Sequence, residues 1–284
     1  MQSRFFRRLC AFLLAALMLF SIAQAEEKAL NVLLIGVDAA GAAERGRSDA
    51  MILAQVRPAE GSVRLVSFLR DLYVPIECVG NTRLNAAYYH GGAELLKKTL
   101  EKQFGVSIDR TVTVDFALLC DLVDALGGVE VAIEEREIAH LNDIISDYNS
   151  DHGLEGGKIA KAGLQRLDGR QALCYSRMRK IDSDFHRTSR QQMLIGAMLK
   201  QMGTLSRWQL LKLAVRTLGK VETDVTLGDL TMLAPLLPRL SALELKTLQI
   251  PHEGAFRDET VNGMMVLRAD LPLCRSKISD FLGF

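Results

Sequence analysis

The stretch "ALNVLLIGVD", residues 29–38, is an almost unbroken apolar run that stops at Gly36 and Asp38. A short run of this kind, bounded by a turn signal, reads as a strand buried on both faces that feeds a loop. Working outward, "AMILAQV" (50–56) and "SVRLVSFL" (62–69) flank Pro58-Ala59-Glu60-Gly61, a strand pair about a turn. Apolar residues at helical spacing predict helices over 91–105, stopped by Gly105, and over 115–128, stopped by Gly127 and Gly128. "TVTV" (111–114) and "VEVAI" (129–133) read as strands, and the polar, Gly-rich segment 134–165 as a long loop with a helical piece. Beyond it come an expected strand, "QALCYSRMRK" (171–180), a long helix over 184–202, a helix pair in roughly 206–241 and a late strand in 242–251. Strands and helices alternate with no break in composition. The pattern predicts one α/β domain, a central and mostly mixed β-sheet sandwiched by helices.

Bulk properties narrow the function. The chain has 284 residues, 49% of them hydrophobic, enough for a sizeable core. A net charge of +1 gives no global positive field, so nucleic acid is not an expected partner. At the N-terminus, Arg4, Arg7 and Arg8 precede an uncharged run from Ala11 to Ala25, which ends in the small-x-small triplet Ala23-Gln24-Ala25. Residues 1–25 therefore read as a signal peptide or an N-terminal membrane anchor, with residues 26–284 as an extracytoplasmic domain. Cys10 lies before the apolar run, which argues against lipoprotein attachment. Cys78, Cys120, Cys174 and Cys274 allow disulfides in an exported chain, or free thiols in a core that needs no staple. No Walker A, GxGxxG, GxSxG or HExxH pattern occurs, and the five histidines have no ligand spacing.

Charge is concentrated locally in "YSRMRKIDSDFHRTSRQQ" (175–192). On a strand, Arg177 and Arg179 would project together, since side chains two apart share a face. On the following helix, Arg187, Arg190 and Gln191 are three and four residues apart and share a face that continues into Leu194, Ala197 and Met198. Converging guanidinium groups repel one another unless a polyanion completes them, and their forked geometry suits phosphate oxygens. A face running from Arg to Leu and Met suits a ligand with a charged head and an apolar tail. Asp38, Arg47, Asp49, Arg70 and Asp71 stand at strand ends, where open α/β sheets place ligand crevices. Asp38 and Asp49 together could hold a hard cation such as Mg²⁺, which takes one or two carboxylates beside phosphate oxygens and water. Asp184 starts the long helix and can serve as its cap.

The ordered blocks "LLIGVD", "RSDAMIL", "VRLVSFLRDLYV", "RLNAAYYHGG", "DLVDALGGVEV", "LDGRQALCYSRMRK" and "DFHRTSRQQ", spanning about residues 30–202, resemble the LytR-CpsA-Psr proteins. The resemblance implies an α/β sandwich with a hydrophobic tunnel for a lipid. It implies transfer of a glycopolymer from a polyprenyl pyrophosphate carrier in the cytoplasmic membrane to peptidoglycan, through a phosphodiester and with Mg²⁺. By position, Asp38 and Asp49 resemble the metal ligands. Arg47, Arg70, Arg177, Arg179, Arg187 and Gln191 resemble the pyrophosphate contacts. Arg83 stands where the family commonly has Lys, and Ala39 and Ala40 stand where it often has an Arg. Arg190 joins the expected pyrophosphate contacts through its place on the helix, and Arg70, Asp71 and Asp184 are the expected catalytic groups, the two carboxylates being alternative bases. Two further readings use the same residues: a polyprenyl pyrophosphate hydrolase, and a non-catalytic lipid-binding or regulatory protein of the cell envelope.

Overall fold

The computed structural model describes residues 29–38, 46–179, 184–217 and 219–284. The segment read as a leader or anchor, and Ala39 and Ala40, lie outside the described residues. In chain order the elements are β1 (Leu30–Val37), β2 (Ser48–Arg57), β3 (Ser62–Phe68), β4 (Tyr73–Ile76), β5 (Gly80–Arg83), α1 (Ala86–Phe104), β6 (Arg110–Asp115) and α2 (Phe116–Ala125). There follow β7 (Val129–Ile133), α3 (Glu135–His152), β8 (Gly163–Leu167), α4 (Gly169–Arg177), α5 (Asp184–Met202), α6 (Arg207–Thr217), β9 (Glu222–Thr223) and α7 (Leu227–Leu233). A 3₁₀ segment (Ala234–Ala242), β10 (Glu244–Ile250), β11 (Phe256–Val261), β12 (Met264–Ala269) and α8 (Leu271–Leu282) complete the chain.

The apolar run that opened the reading is an inner strand of a six-stranded sheet ordered β10-β3-β2-β1-β6-β9. β1 runs antiparallel to β2 and parallel to β6, so the sheet is mixed as expected. Alternation along the strands feeds two layers. Leu33, Ile35, Val37, Met51 and Leu53 face one core with Leu96, Leu100 and Phe104 of α1 and Ile278 and Leu282 of α8. Ile52, Ala54, Val63 and Leu65 face the other side, where Ile195 of α5 packs against them. A third apolar cluster joins α2 to α5, with Leu141, Ile145, Tyr175 and Leu194 among its members. Helices thus cover both faces, and the second side has two layers of side chains between which a ligand can lie. Among the described residues no helix is long and apolar enough to cross a membrane, and Cys78, Cys120, Cys174 and Cys274 are free thiols.

Two expectations were wrong about element type. The described part of that segment, residues 171–179, does not form a strand: α4 runs from Gly169 to Arg177. Asp168 caps it, its Oδ1 accepting from Gln171 N (2.8 Å) while Gln171 Oε1 accepts from Asp168 N (2.9 Å). This reciprocal capping box sits just upstream of the segment read as a strand, and it favours helix there. The polar stretch from 134 is likewise not mainly loop. Glu134 and Glu137 form a second capping box, and α3 follows for 18 residues. Polarity hid this helix because only its Leu141–Ile145 side is buried. The helix expected from 91 starts at Ala86, with non-helical backbone at Gly91 and Gly92. The expected helix pair is α6 and α7 followed by the 3₁₀ segment. The hairpins β4–β5, β7–β8 and β11–β12, and α8, were not anticipated.

α4 is held close to α2 because Gly169 has no side chain. A Cβ there would lie 2.3 Å from the carbonyl oxygen of Cys120. Gly169→Ala should push the two helices apart and lower the unfolding free energy by about 1–3 kcal/mol, the range for overpacking a close contact, measurable by urea denaturation.

Candidate active site

Beside the β1–β2 strand ends, the sheet and α2–α5 enclose a cavity of about 1060 Å³. Its floor is the sheet face bearing Leu34, Gly36, Ala50 and Ile52, with Gly36 opposite Ala50 and Leu34 opposite Ile52. Gly36 and Ala50 keep that floor low; a Cβ on Gly36 would meet Ala50 Cβ at 3.0 Å. Charged groups line one end, Leu119, Leu122, Met198, Leu199 and Met202 line the other, and Ile144, Asp147, Tyr148 and Asp151 of α3 complete the wall.

The orientation of α5 makes this division. Arg190 turns away from the cavity and donates from Nε to Glu137 Oε1 of α3 (2.8 Å), both side chains being buried. On another side of the helix, Gln192 Nε2 donates to Ser67 Oγ of β3 (2.8 Å) and to Leu248 O of β10 (3.2 Å). With 3.6 residues per turn, the arc left between these two attachments carries Arg187, Gln191, Leu194, Ile195, Met198 and Met202. All six line the cavity, polar first and apolar after.

At the polar end, Arg47, Arg70, Arg83, Arg177, Arg179, Arg187, Gln191, Asp38 and Asp49 all line the cavity. Arg190 does not, and its expected role as a pyrophosphate contact gives way to the structural pairing with Glu137. Arg177 and Arg179 also arrive differently from the expectation, Arg177 from the last position of α4 and Arg179 from the segment after it. The guanidinium of Arg177 lies 4.8 Å from the centre of the Phe116 ring. That aromatic support was not foreseen, and neither were Asn85 and Ser176 in the wall. Asn85 lay within a quoted sequence block, but nothing in its chemistry singled it out.

Asp49 owes its position to a β-bulge. Gly36 pairs with Ala50 but Val37 pairs with Ser48, so Asp49 is the extra residue. A bulge re-aims a side chain at a strand end. Asp38 leaves β1 at the same end, its N–H donating to Arg47 O at 3.4 Å. Both are oxygen donors beside a cluster of cations, and no described residue pairs with the Asp38 carboxylate. The donor set fits Mg²⁺, which needs few protein ligands when phosphate and water supply the rest.

Arg70 is the hub. Its Nη1 donates to Asp49 Oδ1 (2.8 Å), and its Nε lies 3.7 Å from Asp71 Oδ2 and 3.6 Å from Asp184 Oδ2. The Arg70 and Asp71 carbonyls accept from Asn85 N (3.2 Å) and Leu267 N (2.9 Å), which fixes the segment. Asp71 and Asp184 stand behind the cavity wall and share a hydrogen bond. Burial, then the bond to Asp184, raises the Asp71 carboxyl above its ordinary range. Burial works in the same direction on Asp184, but the nearby Arg187, with Asp71 and Arg70 adding to it, brings that carboxyl below its ordinary range. Asp184 Oδ1 is 3.3 Å from Arg187 Nη1.

Arg187 itself is 2% exposed. Burial and its neighbouring guanidiniums push it down to about 10, so it stays cationic at neutral pH. Among the described residues its Nε and Nη1 have no hydrogen-bond acceptor. Buried donors without acceptors are costly and rare in native proteins. The pairings predict opposite behaviour in two variants. Arg190→Met strands Glu137 in the core and should cost about 3–5 kcal/mol, whereas Arg187→Met removes a poorly satisfied buried cation and should be neutral or stabilising; urea unfolding of both checks the contrast.

A family model, the LytR_cpsA_psr family, matches residues 17–276. The Enterococcus faecalis polyisoprenyl-teichoic acid–peptidoglycan teichoic acid transferase TagU is 34% identical over 236 residues, which are 80% of this chain and 72% of that protein. The Bacillus subtilis enzyme TagV, of the same description, is 29% identical over 79% of this chain, but this chain spans only 57% of its length. A solved structure described as TagT bound to LIIa-WTA superposes with a TM-score of 0.72 at 26% identity, covering 93% of this chain and 95% of the other. With the family match extending over most of its length, the chain belongs to the LytR_cpsA_psr family.

Proposed function

We propose that the protein transfers a glycopolymer from a polyprenyl pyrophosphate carrier to peptidoglycan through a phosphodiester, at the outer face of the cytoplasmic membrane. The observation that carries this reading is Arg187: a buried cation with two donors unsatisfied by the described residues, at the charged end of a cavity whose other end is mainly apolar. A phosphate oxygen satisfies such donors, and an isoprenoid chain suits the Leu and Met wall. The relatives' printed names supply the polymer class, teichoic acid, and the acceptor. The leader, retained as an anchor, would keep the domain at the membrane that holds its lipid substrate.

The chain's own groups divide the work. Arg187, Arg177, Arg179 and Arg70 hold the pyrophosphate and offset the charge that builds on the leaving polyprenyl phosphate. An acceptor hydroxyl attacks the phosphorus that carries the polymer. A new O–P bond forms, the bridging O–P bond breaks, and polyprenyl phosphate departs. Asp38 and Asp49 would hold Mg²⁺, which when bound neutralises phosphate charge and aligns its oxygens. The hydroxyl proton passes, through one water, to the Asp71–Asp184 pair, whose carboxyls are mostly but not wholly buried.

Arg187→Ala should fold normally and lose about 10²–10³-fold in transfer of labelled lipid-linked polymer to peptidoglycan; full activity would refute the reading, and polymer release that ignores the acceptor would assign hydrolysis instead. The pair also predicts a pH effect. Asp71 is raised partly by Asp184, so Asp184→Asn should move the acidic limb of kcat/KM to lower pH if Asp71 takes the proton. Loss of activity at every pH would make Asp184 the base.

A further inference from the structure

α6 has two apolar stripes, one buried and one largely exposed, with Leu211 of the second partly buried. Toward the interior, Leu213 is buried in the apolar cluster that includes Leu122 and Met202, residues of the cavity's apolar end. Thr217 is buried on the same side. At about 100° per residue, Trp208, Leu211 and Val215 form a stripe on roughly the opposite side. Trp208 is 64% and Val215 58% exposed. Lys212 and Arg216 flank that stripe on one side and Arg207 on the other. All three cations are exposed, and among the described residues neither Arg207 nor Lys212 makes an ion pair. An apolar stripe that contains Trp and has cations along both borders is the pattern of a helix lying in a lipid interface, where the long basic side chains reach the headgroups.

The surrounding chain says which surface covers it. The corner after α6 exposes Leu227 (59%) and Leu230 (47%). That corner is tied to the start of β1. Asn31 N donates to Asp109 Oδ2 (2.9 Å), Arg110 Nε to Asp229 Oδ2 (2.6 Å) and Thr111 N to Asp224 Oδ1 (2.6 Å). The apolar run ending at Ala25 precedes β1 by only Glu26–Ala29. Such a tether extends at most about 17 Å, so an uncleaved chain anchored by that run holds the α6–α7 corner near the bilayer.

We propose that α6 docks on the anionic phospholipid surface of the membrane through Trp208, Leu211 and Val215, with Arg207, Lys212 and Arg216 against the headgroups, and so seats the apolar end of the cavity at the bilayer. The proposal builds on the reading of the cavity as a polyprenyl site, since a tail entering there comes from the membrane. The exposed face itself is independent of the chemistry.

Trp208 is the only tryptophan in the chain, so its fluorescence reports on α6 alone. The full-length protein is reconstituted in vesicles of phosphatidylglycerol and phosphatidylcholine, with or without brominated acyl chains and with no polyprenyl lipid. Docking predicts emission at shorter wavelength than in phosphatidylcholine alone and quenching by the brominated chains. Lys212→Glu combined with Arg216→Glu should abolish both changes while circular dichroism is unchanged. Trp208 emission that ignores the brominated lipid overturns the proposal. So does a shift that needs no vesicles and grows with protein concentration, which would assign the face to a second copy of the chain. Neither readout depends on turnover, so a failure here is separable from a failure of the transferase reading.

Discussion

The buried pair Arg190–Glu137 fixes the rotation of α5, and the site follows from that rotation. One flank of the helix is tied to α3 by this ion pair and another to the sheet by Gln192. Between the two, helical periodicity must present Arg187, Gln191, Leu194 and Met198 in register along one line. Were α5 turned by a quarter turn, Arg190 would enter the cavity and Ile195 would leave it. A buried ion pair is a poor source of stability compared with apolar packing, yet its directionality suits the choice of one helix rotation over its neighbours. Leucine at 190 would pack as well in several rotations.

Charge balance explains the second feature of the site. Asp49, Asp71 and Asp184 surround Arg70 and are also paired with Arg179, Arg83 and Arg187, so three carboxylates are divided among four guanidiniums. Among the described residues Arg187 has an ion pair but no hydrogen bond for two of its nitrogens, and Arg177 rests on a ring and not on a carboxylate. The fold therefore holds a set of donors aimed at a space, at an energetic cost that an anion in that space recovers. The Asp49 bulge contributes to the same end. It takes one carboxylate out of the strand ladder and turns it to the cavity, where it both restrains Arg70 and offers an oxygen to a cation.

Much of this was legible in the sequence, for physical reasons that differ by element. β1 was readable because an inner strand must be apolar on both faces. α5 was readable because 19 residues carry an uninterrupted helical pattern. α4 was misread because nine residues hold too few turns to display a period, and its capping box at Asp168 and Gln171 was overlooked. The Arg residues of the cavity were found from charge density and from the family resemblance. Arg190 could not be separated from them, since its partner Glu137 lies 53 positions away in a segment taken for loop. The bulge at Asp49 and the ring under Arg177 depend on register and tertiary packing, which no local pattern encodes.

The same helical periodicity works twice in this chain, with different outcomes. In α5 it builds one stripe that changes from guanidinium to thioether along its length, so that a single helix spells out an amphiphile. In α6 it builds two stripes on opposite sides, one joined to the cavity's apolar cluster and one open. An open stripe bordered by cations has no advantage in water, where Trp208 and Val215 gain nothing by exposure. It is favourable where the surroundings change from polar to apolar within a side chain's length. The apolar end of the cavity lies directly behind that stripe, across one helix, and an isoprenoid tail leaving a bilayer there would cross the least water.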